Sequence, residues 1–158
     1  MSGPLDGVRV VELATVLMAP FAGQLLGDLG ADVVKVESDR HDAGRIIGGG
    51  GHHQISGAAV NLQRNKRSIQ VDLKQPAGRD VLIRLVAGAD VFITNMRTQA
   101  ASKLGLDYES LAKLNPGLVY CHTAGFDDSR ARLAGNDQVS NSVAGTCWED
   151  GGMKNFSI

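Results

Sequence analysis

Apolar positions along the first 40 residues change period twice. Val8 to Leu13 is a short β-branched run and predicts a first strand. From Met18 to Leu29 the apolar residues Phe21, Leu25, Leu26 and Leu29 recur at helical spacing. Gly30 then suits a left-handed residue that stops a helix. Asp32 to Glu37 is a second β-branched run. Strand, helix and strand within about 30 residues make a βαβ unit, with parallel strands and a right-handed crossover expected.

The rest of the chain repeats this alternation after one interruption. Ser38 to Ala58 carries Gly44, the run Gly48 to Gly51 and the pair His52-His53, and predicts a long mobile loop. Ser68 to Leu73 alternates as a strand does, and Pro76 opens a helix whose Leu82, Leu85 and Val86 face inward. Asp90 to Thr94 predicts the next strand. Helices near Thr98 to Leu104 and Tyr108 to Leu114 follow, the second stopping before Asn115-Pro116. Leu118 to His122 predicts a fifth strand, Asp127 to Arg132 a polar loop, and Gln138 to Ala144 a helix. The sum is an α/β fold, a three-layer domain with a mostly parallel sheet.

Composition supports that class. The chain has 158 residues, suited to one domain, with 43% hydrophobic and only 4% aromatic residues. A core of Val, Leu, Ile and Ala fits a parallel sheet buried on both faces. With 16 basic and 17 acidic residues, net charge is -1, which gives no electrostatic case for nucleic acid or an anionic membrane. The N-terminus has no signal-peptide pattern and no segment nears the length of a membrane span. Cys121 and Cys147 form no CxxC or zinc pattern and read as buried thiols in a reducing, cytoplasmic compartment. His52 and His53 are adjacent, so on an extended chain their rings diverge, and no metal is expected.

Open α/β sheets bind ligands at the carboxyl ends of their strands. Ala14 to Pro20 follows the first strand; it is either a plain turn or a helix N-terminus that offers N–H groups to an anion. There is no GxGxxG and no GxxxxGK[ST] here. Arg64, Lys66 and Arg67 stand just before the third predicted strand, as a phosphate cluster or a solvated one. Asn95, Met96, Arg97 and then Lys103 follow the fourth strand, and Gly125, Phe126 and Asp127 the fifth. Glu149-Asp150-Gly151-Gly152 is either a turn or a carboxylate beside a flexible backbone, able to act as a nucleophile.

Together these blocks resemble the CaiB/BaiF family, the family III or class III CoA-transferases. The matching segments are Pro4 to Leu13, Ala19 to Ala22, Leu26 to Glu37, Asn65 to Ile69 and Asp72 to Lys74. Ala89 to Val91, Asn95 to Arg97, Leu104 to Leu106, Leu114 to Pro116 and Gly125-Phe126 continue the series.

The resemblance implies a Rossmann-like domain over residues 1–158, truncated relative to the family and lacking its second small domain. It implies coenzyme A or acyl-CoA as substrate, held by Leu17 and Met18, by Leu62, Gln63, Arg64, Asn65 and Lys66, and by Asn95, Met96 and Arg97. Lys103, Ala124, Gly125, Phe126, Asp127 and Asp128 complete the expected contacts. Ser38 stands where the family often has arginine, with Arg40 as a substitute; Lys103 keeps a charge where arginine is common, without its fork.

The resemblance further implies CoA transfer from an acyl-CoA to a carboxylic acid through an aspartyl-CoA thioester, with Asp150 as nucleophile and Glu149 as a lesser candidate. It implies a homodimer in full-length relatives, or a second chain supplying the missing part. A non-catalytic fragment with at most CoA binding is one alternative. The family's 2-methylacyl-CoA racemase branch is another, but Gly135-Asn136-Asp137 lacks its histidine base, and His122 reads as a satisfied core residue.

Overall fold

The computed structural model describes residues 3–38, 42–47, 55–126, 128–130, 133, 135 and 137–145. Five parallel strands form one sheet in the order β3-β2-β1-β4-β5. They are β1 Arg9–Leu13, β2 Asp32–Glu37, β3 Lys66–Gln70, β4 Val91–Thr94 and β5 Val119–His122. The helices are α1 Met18–Asp28, α2 Gly57–Leu62, α3 Pro76–Ala87, α4 Thr98–Leu104, α5 Tyr108–Leu114 and α6 Asp137–Ala144.

The period of two along each strand divides the core. Val11, Val36 and Phe92 point to one face, where Leu82 and Val86 of α3, Ala101 of α4 and Leu111 of α5 cover them. Each fully buried side chain of this size, such as Leu82 or Phe92, contributes about 2 kcal/mol. Val10, Val33 and Ile93 point to the other face, against Ala14, Ala19 and Ala31. That second core is thin, because α1 approaches the sheet through Ala19, Pro20, Gly23 and Gln24. A Cβ at Gly23 would lie 2.1 Å from Glu12 Oε2, so only glycine fits.

The helix pattern of α1 is therefore inverted relative to its hydropathy. Phe21, Leu25 and Leu29 are about half exposed, and the small residues are buried. Gly30 has φ +101°, as its stop role requires.

Two further differences concern the middle of the chain. The described parts of the expected long loop are tied down. Residues Ala43–Arg45 form a 3-10 turn, and Ser56 accepts from the Ala59 amide at the start of α2 while donating to the Gly44 carbonyl. The pair His52-His53 lies outside the described residues. Strand β3 begins at Lys66 rather than Ser68, so Lys66 and Arg67 belong to the strand itself.

Candidate functional site

The order in which strands are added reverses between β1 and β4, so their carboxyl ends open a crevice at the switch point. Asn95 spans it: its side chain accepts from the Thr15 amide at 3.1 Å and donates to the Thr15 carbonyl at 2.9 Å. A cavity lies on each side of this link. One, of about 180 Å³, is lined by Met18, Asn95, Met96, Arg97, Thr123, Ala124 and Gly125, among others. The other, of about 250 Å³, is lined by Ala14, Thr15, Glu37, Ser38, Asp42, Leu73 and Asn95, among others.

The crevice thus gathers Met18, Asn95, Met96, Arg97, Ala124 and Gly125 from the residues expected to hold CoA. Leu17 caps α1 beside them with no side-chain hydrogen bond. Arg97 is exposed, and its guanidinium has no partner among the described residues. Gly125 meets Gly135 backbone to backbone; a Cβ on Gly125 would lie 2.5 Å from the Gly135 Cα. Phe126 sits on a neighbouring surface with Arg130, whose guanidinium lies 5.2 Å from its ring centre. Lys103 is exposed in the last turn of α4 and lines neither cavity. Asp128 opens a 3-10 turn. Arg40, Asp127, Glu149 and Asp150 lie outside the described residues.

The block from Leu62 to Lys66 is not at this crevice. It sits at the opposite, amino-terminal end of the sheet, where α1 ends and β3 begins. Leu62 is buried, and the Gln63 Oε1 is buried with no partner among the described residues. Arg64 pairs with Asp28 at 2.6 Å, and the Asn65 side chain donates to Asp28 at 2.7 Å. Lys66 is drawn under α1, bonding Glu12 Oε2 at 2.7 Å and the Pro20 carbonyl at 2.7 Å. Arg67 pairs with Asp32 at the strand start. Carboxylates within the chain, rather than a free strand mouth, take up these cations. The segment after β3 that does reach the crevice is represented by Leu73.

The Arg64 hydrogen bond, aided by Gln24, lowers the Asp28 pKa from the usual 3.8 to about 2. Because the folded value lies below the unfolded one, this contribution to stability is complete above about pH 4 and fades as pH falls toward 2. The thermal midpoint of Asp28→Asn is therefore expected to fall less than wild type between pH 5 and pH 2.5; parallel curves would contradict the pairing.

Sequence reasoning missed a buried charge network beside the crevice. The Lys35 ammonium bonds Glu12 at 2.9 Å, Asp42 at 2.9 Å and the Ala14 carbonyl at 3.0 Å. The Lys35, Glu12, Asp42 and Lys66 side chains are all at most 2% exposed. Burial pushes the Lys66 pKa down, and Glu12 only partly offsets it. Burial alone would raise the Asp42 carboxyl, but the Val16 and Gly44 amides and the Lys35 ammonium hold it below the usual range. The available signal was parity. Glu12, Lys35 and Glu37 all fall on one face of strands that are buried on both faces.

His122 ends β5 as expected, and its Nε2 is 2.8 Å from the Met96 carbonyl, so that nitrogen donates. It is satisfied but exposed, rather than part of the core. Cys121 is a free, partly buried thiol, and Cys147 lies outside the described residues.

The fold is a parallel α/β domain with a crevice at the carboxyl ends of β1, β4 and β5. Residues 5–155 match CoA-transferase family III, and the chain belongs to that family. It is 44% identical over 151 residues to a succinate–glutarate CoA-transferase of Agrobacterium fabrum, covering 90% of this chain and 38% of that protein. It is 42% identical over 126 residues to a succinyl-CoA–D-citramalate CoA-transferase of Chloroflexus aurantiacus, covering 78% of this chain and 31% of the relative. A crystal structure of a CaiB/BaiF family protein from Brucella suis superposes with TM-score 0.85 at 42% identity, over 92% of this chain and 40% of the other. The chain thus spans well under half the length of these relatives. Among the described residues, no helix is long and apolar enough to cross a membrane.

Proposed function

We propose that this chain supplies the CoA-binding wall of an enzyme that moves CoA between an acyl-CoA and a carboxylic acid, with short dicarboxylates as substrates. The family match over residues 5–155 carries the reading. The dicarboxylate class is supported by the succinate, glutarate and citramalate in the names of two relatives. Support from geometry comes from Arg97, exposed at the switch-point crevice with no partner among the described residues, and from the start of α1, which has no side-chain cap, both suited to the phosphates of CoA. Turnover is assigned to the whole protein, in a homodimer or with a second chain, and CoA contact to this part.

In the covalent route, a carboxylate attacks the acyl carbonyl and expels the CoA thiolate, giving a mixed anhydride. The thiolate then attacks the carboxylate-derived carbonyl and releases the donor acid, leaving an enzyme–CoA thioester that the acceptor acid reverses. Asp150 holds this role by family resemblance alone. Mass spectrometry of the protein treated with acyl-CoA, with hydroxylamine release as control, should find the adduct on Asp150. An adduct on another carboxylate removes that assignment and leaves the transfer reading standing.

The binding site is tested by calorimetry. CoA should bind the chain and compete with ADP, and Arg97→Ala should weaken binding about tenfold or more, the worth of a charge-assisted hydrogen bond. Absence of CoA binding by the wild-type chain would overturn the site.

A further inference from the structure

We infer that Asp42 is a positioning residue for this crevice: it holds Val16 in a left-handed backbone and so fixes the β1–α1 turn against which CoA lies. The inference rests on the reading of the crevice as the CoA site.

Val16 has φ +71°, a conformation that a β-branched residue adopts only under constraint. Asp42 comes from the segment after β2 and is 3% exposed. Its Oδ1 accepts from the Val16 amide at 2.8 Å and from the Gly44 amide at 2.8 Å, while Lys35 holds its Oδ2. Gly44 also crowds the Val16 carbonyl; a Cβ there would lie 3.1 Å from that oxygen. The neighbours are gripped as well: Lys35 takes the Ala14 carbonyl, and Asn95 takes both backbone groups of Thr15. Three successive residues are thus each fixed by a side chain from elsewhere in the chain.

The place of the strain points to function. Ala14, Thr15 and Asp42 line one cavity of the crevice, and Met18, two residues beyond Val16, lines the other. A strained residue persists only where its surroundings over-determine it, and such residues cluster where a ligand is held. The strained turn also sets the entry of α1, whose first residues have no side-chain cap.

A double-mutant cycle separates positioning from general support. Asp42→Ala should let residue 16 relax to negative φ in a crystal structure and weaken CoA binding about tenfold or more. Glycine adopts φ +71° freely, so the same substitution introduced together with Val16→Gly should cost less than about threefold relative to Val16→Gly alone. Equal penalties in the two backgrounds would overturn the inference, as would a positive φ at residue 16 in Asp42→Ala. Should neither alanine-bearing chain fold, Asp42→Asn decides, since its Oδ1 still accepts from the Val16 amide. Affinity within about threefold of wild type supports the role, and a larger loss sinks it. If the wild-type chain binds no CoA, the crevice assignment fails instead, and the φ measurement still decides whether Asp42 holds Val16.

Discussion

Lys35→Met is expected to lower the unfolding free energy by about 3–5 kcal/mol, a large share of the total for a domain of this size. The ammonium is 2% exposed and lies between Glu12 and Asp42, each 2.9 Å away. Methionine fills similar space but, among the described residues, leaves Asp42 with the Val16 and Gly44 amides and Glu12 with Lys66. It also orphans the Ala14 carbonyl, which Lys35 now satisfies. Breaking one member of a buried ionic group strands the others in low dielectric, which is costlier than never having built the group. Urea denaturation should show a midpoint shift with little change in slope. A loss below about 1 kcal/mol, the range of exposed ion pairs, would show that water reaches the network.

The network also explains which parts of the molecule could be read from sequence. The strands were legible because β-branched runs on a sheet buried on both faces leave a continuous apolar signal, as in β2 and β4. Strand β3 was displaced by two residues because Val71 and Leu73 continue the alternation past Gln70. Its true start is set by partners distant in sequence: Lys66 reaches Glu12, and Arg67 reaches Asp32. The same long-range pairs hold Leu62 to Lys66 away from the crevice. Asn95 to Arg97 and Ala124 to Gly125 were legible, since they follow β4 and β5 directly and parallel topology brings strand ends together. Asp42 was not. A single aspartate in a glycine-rich stretch carries no pattern, and its role appears only when the Val16 backbone is seen beside it.

Gly23→Ala should cost about 3 kcal/mol, and Leu25→Ala less than about 1 kcal/mol, the reverse of what the hydropathy of α1 suggests. Leu25 is 45% exposed, so truncating it removes little apolar contact. Gly23 faces the sheet at the point where the buried network passes under the helix. Its added Cβ would lie 2.1 Å from Glu12 Oε2 and 3.4 Å from the Lys66 ammonium. Glu12 is fully buried and held by two lysines, so it cannot swing aside as a free surface carboxylate would. The helix is as close one turn later, where a Cβ at Gly27 would lie 2.9 Å from the Asn65 carbonyl. The methyl must therefore either part Glu12 from its cations or push α1 off the sheet. Either shift also disturbs the Pro20 carbonyl that Lys66 grips at the first turn of α1. Paired denaturation of the two variants reads the rank order directly. If Leu25→Ala proves the more damaging, the apolar face of α1 is packed in solution, and the glycine face is not what seats the helix.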